Sequence, residues 1–137
     1  MAVGNNSVAS HDNAVALGNG SVTSSADSVS VGAVGAERAV QNVAPGVLGT
    51  DATNVNQLNA VQKSASRGVA IGMASVQEIP RLAPGEFGMG VGFGHYNGET
   101  AIGATMAYSI NARAMVSMGV AHSGGKSGVR AGASFKF

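Results

Sequence analysis

The chain has 137 residues, of which 21 are glycine, 4% are aromatic, 11% are charged and none is cysteine or tryptophan. Large side chains for a compact monomeric core are scarce, and without cysteine there is no disulfide scaffold, thiolate metal site or cysteine nucleophile. A formal net charge of +1 with dispersed Lys and Arg supplies no basic stripe for nucleic acid.

The first segment is a repeat. Val8, Val15, Val22 and Val29 fall one every seven residues, and Val3-Gly4, Leu17-Gly18 and Val31-Gly32 recur every fourteen. The unit over residues 2–36 is therefore fourteen residues in two similar halves. A strand of about four or five residues, a turn, a second strand and a turn fill such a unit, with Gly or Asn at the corners. One valine per strand is expected to point inward as the repeat core, and successive coils to stack into a parallel solenoid. The competing reading is a low-complexity Ser/Asn/Gly linker, against which the regular apolar spacing argues. Met1 stands just before the end of a unit, and no basic n-region followed by an apolar h-region precedes it. The expectation is a C-terminal piece of a longer protein or the product of a truncated gene.

Residues 37–54, a neck, and 55–80 read differently. "ERAVQNVAPGVLGTDATNVNQLNAVQ" breaks at Pro45-Gly46 and offers Thr50 or Asp51 as a helix N-cap. Val55 and Leu58 then stand at a-to-d heptad spacing, continued weakly through Gln62 and Ala65. So short a coiled coil needs support from its flanks. An ordinary surface helix would show the same few apolar positions. The longest apolar stretch, "GVAIGMASV" at 68–76, falls short of the roughly 18 residues of a membrane-spanning helix.

In the last segment, residues 81–137, the period becomes two from Phe87 onward. In "EFGMGVGFGHY", Phe87, Met89, Val91 and Phe93 alternate with Gly88, Gly90, Gly92 and Gly94, and Asn97-Gly98 is a hairpin signal. A second strand, Glu99 to Ser109, sets Ile102, Ala104, Met106 and Tyr108 against Gly103, Thr105 and Ala107. A third, Arg113 to His122, sets Val116, Met118 and Val120 against Ser117, Gly119 and Ala121. After "SGGKSG" a fourth carries Val129, Ala131, Ala133, Phe135 and Phe137 to the end. Strands of about ten residues joined by short turns suit a tilted crossing of an outer membrane. Phe87, Met89, Val91, Phe93, Ile102, Val116, Met118 and Val120 would then face lipid. Gly88, Gly90, Gly92, Gly94, Gly103, Ala107 and Gly119 would face a lumen, where small residues permit close approach of another backbone.

Four strands cannot close a barrel, and an open edge in hydrocarbon leaves backbone groups unpaired. Two chains would give eight strands, with an interior just filled by side chains. Three would give twelve, with room for three helices meeting at Val55 and Leu58. The expected fold is mostly β, with repeats, a short helix and four antiparallel strands per chain.

The whole chain resembles the trimeric autotransporter adhesins, the YadA-like family of bacterial type V secretion. "NAVALGNGSV" is similar to the left-handed parallel β-roll repeat of the head, "ERAVQNVAPG" with "TDATNVNQL" to the neck, and "YNGETAIG" with the terminal aromatic to the membrane anchor. The resemblance implies a homotrimer whose anchor exports and tethers the passenger in the outer membrane, at the cell surface. It implies Phe135 and Phe137 as the signal read by the barrel assembly machinery, outer-membrane lipid as surroundings, and host matrix or cell-surface proteins as partners of the head. In this sequence the stalk is only about two heptads and the head about two coils.

No enzyme is expected. Asp12, Asp27, Glu37, Asp51, Glu78, Glu86 and Glu99 are scattered without a paired-carboxylate motif. His11, His95 and His122 lie in separate elements without ligand spacing, so no metal or other cofactor is expected. The glycines of "GMGVGFG" alternate at period two and precede no helix, unlike a phosphate loop. The alternative function is a soluble β-repeat structural or binding protein with a C-terminal antiparallel sheet.

Overall fold

A computed structural model describes residues 1–76 and 78–137, which divide into two units, Met1–Ala52 and Thr53–Phe137. A fourteen-residue offset governs the first. Strands β1 (Ala2–Val3), β2 (Val15–Leu17) and β3 (Val29–Ser30) pair in parallel in that order. The register sets Ala2 beside Ala16, Val15 beside Val29 and, at an isolated bridge, Val8 beside Val22. The sequence period is thus the length of one coil. The corners repeat with it: positive φ occurs at Gly4 and Gly18, at Asn6 and Gly20, and at Asn13 and Asp27, each pair fourteen apart. Asn13 donates from Nδ2 to Asp27 Oδ1 at 2.6 Å, clamping one corner to the next.

The expected inward valines are corrected by this geometry. Val8, Val22 and Val29 are 49%, 40% and 67% exposed, whereas Ala14, Ala16, Ser21 and Thr23 are buried. Val15 is half-buried. Because strand side chains alternate sides, a valine and its two neighbours point opposite ways. The coil interior is narrow enough to be filled by alanine, serine and threonine, so the valines form rows on its outside. Enlarging Ala16, which is fully buried, to leucine should overpack the coil by about 1–3 kcal/mol and expose residues 1–36 to limited proteolysis. Unchanged protease resistance would contradict the assignment of the interior.

Beyond the coils Arg38 donates from Nη2 to the Asn19 carbonyl. Asp51 does not cap the helix; its Oδ2 accepts from the Val47 and Leu48 amides at 2.9 and 2.8 Å, closing a turn in which the Asp51 amide bonds the Leu48 carbonyl. The Leu48 bond first, then that from Val47, hold the Asp51 carboxyl below its ordinary value of 3.8. A lowered folded pKa stabilises the turn above the unfolded value, and this is lost as pH falls through the folded one. The Val47 and Leu48 amide shifts should titrate with a midpoint below 3.8; a midpoint at or above it would contradict the two bonds.

In the second unit, helix α1 (Val55–Ser75) starts at Asn54, where Thr50 or Asp51 was expected. Asn54 Oδ1 accepts from the Gln57 amide at 3.1 Å, and Gln57 Oε1 accepts from the Asn54 amide at 3.3 Å. This reciprocal capping box satisfies helix-end donors that the more distant Asp51 cannot reach. Strands β4 (Phe87–Tyr96), β5 (Glu99–Asn111), β6 (Ala114–Ser123) and β7 (Lys126–Phe135) follow, each antiparallel to the next. β7 starts three residues before Val129, because Gly124 and Gly125, both at positive φ, make the tight turn. Phe137 lies past its end. Asn97 and Gly98, at φ 48° and 79°, form the expected two-residue hairpin turn between β4 and β5.

Candidate membrane anchor and its two faces

The two faces of the β4–β7 sheet differ because glycine and alanine alternate with large apolar residues. On one face Phe87, Met89, Val91, Phe93, Ile102, Val116, Met118 and Val120 are all exposed, together with Met106, Tyr108, Val129 and Phe135. The sequence had assigned the first eight of these to a single side. A water-soluble monomer rarely leaves so broad an apolar surface uncovered.

The opposite face carries α1. Ser66, Ala70 and Ala74, four residues apart on one helical stripe, are buried, and Ala70 and Ala74 cluster with Ala101 and Ala121. A Cβ at Gly94 would collide with the Ala70 carbonyl, and one at Gly103 with that of Ala74. Further along, a Cβ at Gly88 would come within 2.8 Å of Ile79 Cγ2. Ala107 and Gly119 are buried on this same face, and Gly90 and Gly92 are half-buried. At Gly94 and Gly103 helix and sheet therefore meet backbone to backbone, which requires these two residues to be small.

Polar contacts concentrate at the end bearing the Asn97-Gly98 and Gly124-Gly125 turns. Arg67 Nε donates to Glu99 Oε2 at 2.7 Å, Arg67 Nη1 donates to the Gly124 carbonyl at 2.7 Å, and Asn97 Nδ2 donates to Ser66 Oγ at 3.0 Å. Lys63 adds a second ion pair to Glu99 at 3.7 Å. One helix is thereby tied to both hairpin tips. Sequence reasoning missed this group. Its signal was Arg67, a single cation within the small-residue stretch "SASRGVAIGMAS", but its partner is 32 positions away.

The remaining sequence candidates are dispersed. Val55 and Leu58 are 69% and 61% exposed, and Val61 is exposed as well. His11, His95 and His122 each contact a hydroxyl, of Thr23, Thr100 and Ser127 respectively, in separate places. Among the described residues no helix is long and apolar enough to cross a membrane, a statement that does not touch strands.

The unit is thus a membrane-anchor type of sheet: four antiparallel strands, apolar outside, small inside, with a helix held against the inner face. Comparison with protein families specifies which. A model described as the YadA-like membrane anchor domain matches residues 80–137, the coiled stalk of trimeric autotransporter adhesin matches residues 40–70, and two copies of the YadA head domain repeat match residues 1–21 and 12–33. With head, stalk and anchor in this order, the chain belongs to the YadA-like trimeric autotransporter adhesins, whose C-terminal region it matches. A comparison with the curated proteins found no match.

Arginine at Val91, 83% exposed at mid-strand, should cost about 2–4 kcal/mol if that site lies at the bilayer midplane and should abolish a heat-modifiable oligomer in detergent. Glutamate at Lys126, beside the Gly124-Gly125 turn, should leave it intact. Equal tolerance of both changes would refute the outward assignment of Val91.

Proposed function

We propose that three copies of this chain close one barrel in the bacterial outer membrane, four strands from each giving twelve, and that this barrel exports and then tethers the head at the cell surface. Family membership implies a homotrimer and an outer-membrane location. The observation that carries the rest is the sheet itself: two open edges, on β4 and on β7, an apolar outer face and a small-residue inner face occupied by a helix. Eight strands would leave no lumen for helices, whereas twelve do.

In this reading Phe87, Met89, Val91, Phe93, Ile102, Val116, Met118 and Val120 meet lipid. The three α1 helices stand in the lumen and join through Val55 and Leu58, and Phe135 and Phe137 are read by the barrel assembly machinery. During export the lumen must pass extended chain. Afterwards the helix rests against Gly94 and Gly103, and the Arg67–Glu99 pair holds it at the hairpin tips. The outward valine rows of the coils supply the contact between three heads, whose polar exterior serves adhesion to host matrix or cell-surface proteins without catalysis.

Two measurements test this. The full chain in detergent should run as a heat-modifiable trimer, and a monomer soluble without detergent would instead support the β-repeat binding protein. Gly103→Leu, which drives a branched side chain into the Ala74 carbonyl, should reduce surface display of the head several-fold while membrane insertion persists. Display at the unsubstituted level would overturn the close helix–wall contact as part of the export device.

A further inference from the structure

One charged side chain stands in the middle of a strand. Glu99 and Lys126 begin β5 and β7, whereas Arg130 is the fifth residue of ten in β7. Register sets Gly90 beside Thr105, Thr105 beside Gly119 and Gly119 beside Arg130 in a single row across the sheet. Thr105 is fully buried and donates from Oγ1 to the Ser75 carbonyl at 3.1 Å. The row therefore belongs to the helix-bearing face. Arg130 crosses above Gly119, where a Cβ would stand 3.3 Å from its Cγ. Its Nε is shut off from solvent with no hydrogen-bond partner.

A guanidinium does not shed its charge, and ionisable groups inside a membrane protein are kept where they are paired or serve a pathway. The unit has three acidic side chains, Glu78, Glu86 and Glu99. Glu99 is held by Arg67 and Lys63, and Glu86 accepts from the Ala83 amide at 2.7 Å. Glu78 is exposed and makes no ion pair among the described residues. Its depth is right. Ser75 is bonded to Thr105 in the row of Arg130, and Ile79 packs over Gly88, one inward-facing row further along, so Glu78 falls between the two.

Its lateral position points across a seam. Ile79 and Leu82 cover β4 at one edge of the sheet, while Arg130 lies on β7 at the other. Within one chain these edges are three strand spacings apart, about 14 Å along the sheet; closure of a barrel would bring β7 of one chain to a single spacing, about 4.8 Å, from β4 of the next. We propose that in the trimer Arg130 of each chain pairs inside the lumen with the partner subunit's Glu78, so that three ion pairs tie the three seams from within. This rests on the trimeric-barrel reading.

The full chain tests it by charge exchange. Arg130→Glu and Glu78→Arg should each cause loss of the detergent-resistant trimer band, and the double exchange should restore it. In a chain without native cysteine, Arg130→Cys with Glu78→Cys and a short bis-maleimide should give covalent dimers and trimers after boiling. Single variants that assemble normally, a double exchange without rescue, or cross-links confined to monomers would overturn the pairing while leaving the trimer standing. If the unsubstituted chain itself gives no trimer, the barrel reading falls and the pairing with it.

Discussion

Every backbone amide and carbonyl placed in hydrocarbon must find a partner within the protein, at several kcal/mol for each one left unpaired, and the four-stranded sheet of this chain leaves a full edge unpaired on β4 and another on β7. No rearrangement within one chain joins these edges, because four strands are too few to curl into a closed wall. The membrane function proposed here is therefore a property of an assembly. Closure by three chains satisfies both edges and creates a lumen at the same time.

The proposed lumen accounts for the composition of the inner face. Where the helix packs most closely on the sheet, glycine or alanine lies beneath it, as at Gly94, Gly103, Ala101 and Ala121. Such an interface has little area of large side chain to bury and little to lock it. Specific polar ties take that role at one end, where Arg67 joins the helix to Glu99 and to the Gly124 carbonyl. A wall lined this way suits a passage that first carries extended chain and is afterwards filled by helices.

The legible parts of the sequence were those in which one rule repeats. Period two over Phe87 to Phe93 sorted large from small residues onto opposite faces, and the Asn97-Gly98 turn was readable because both residues tolerate positive φ. Period seven in the head was equally plain, yet it tells which residues share a face and not which face is the interior. Only the width of the coil decides that, and it favours Ala14, Ala16, Ser21 and Thr23 over the valines. The helix start was misplaced because Thr50, Asp51 and Asn54 are all good caps; the deciding partner is Gln57, three residues after Asn54. Arg67 with Glu99, and Arg130 beside Gly119, depend on strand register and were not visible locally.

The central claim is that β7 of one chain pairs with β4 of another. A trimer mixed from two differently isotope-labelled chains in lipid, measured by solid-state NMR for contacts between the labels, addresses it directly. The account requires antiparallel backbone contacts between residues 126–135 of one label and residues 87–96 of the other. Contacts across those strands confined to chains of a single label, or absent altogether, would contradict it.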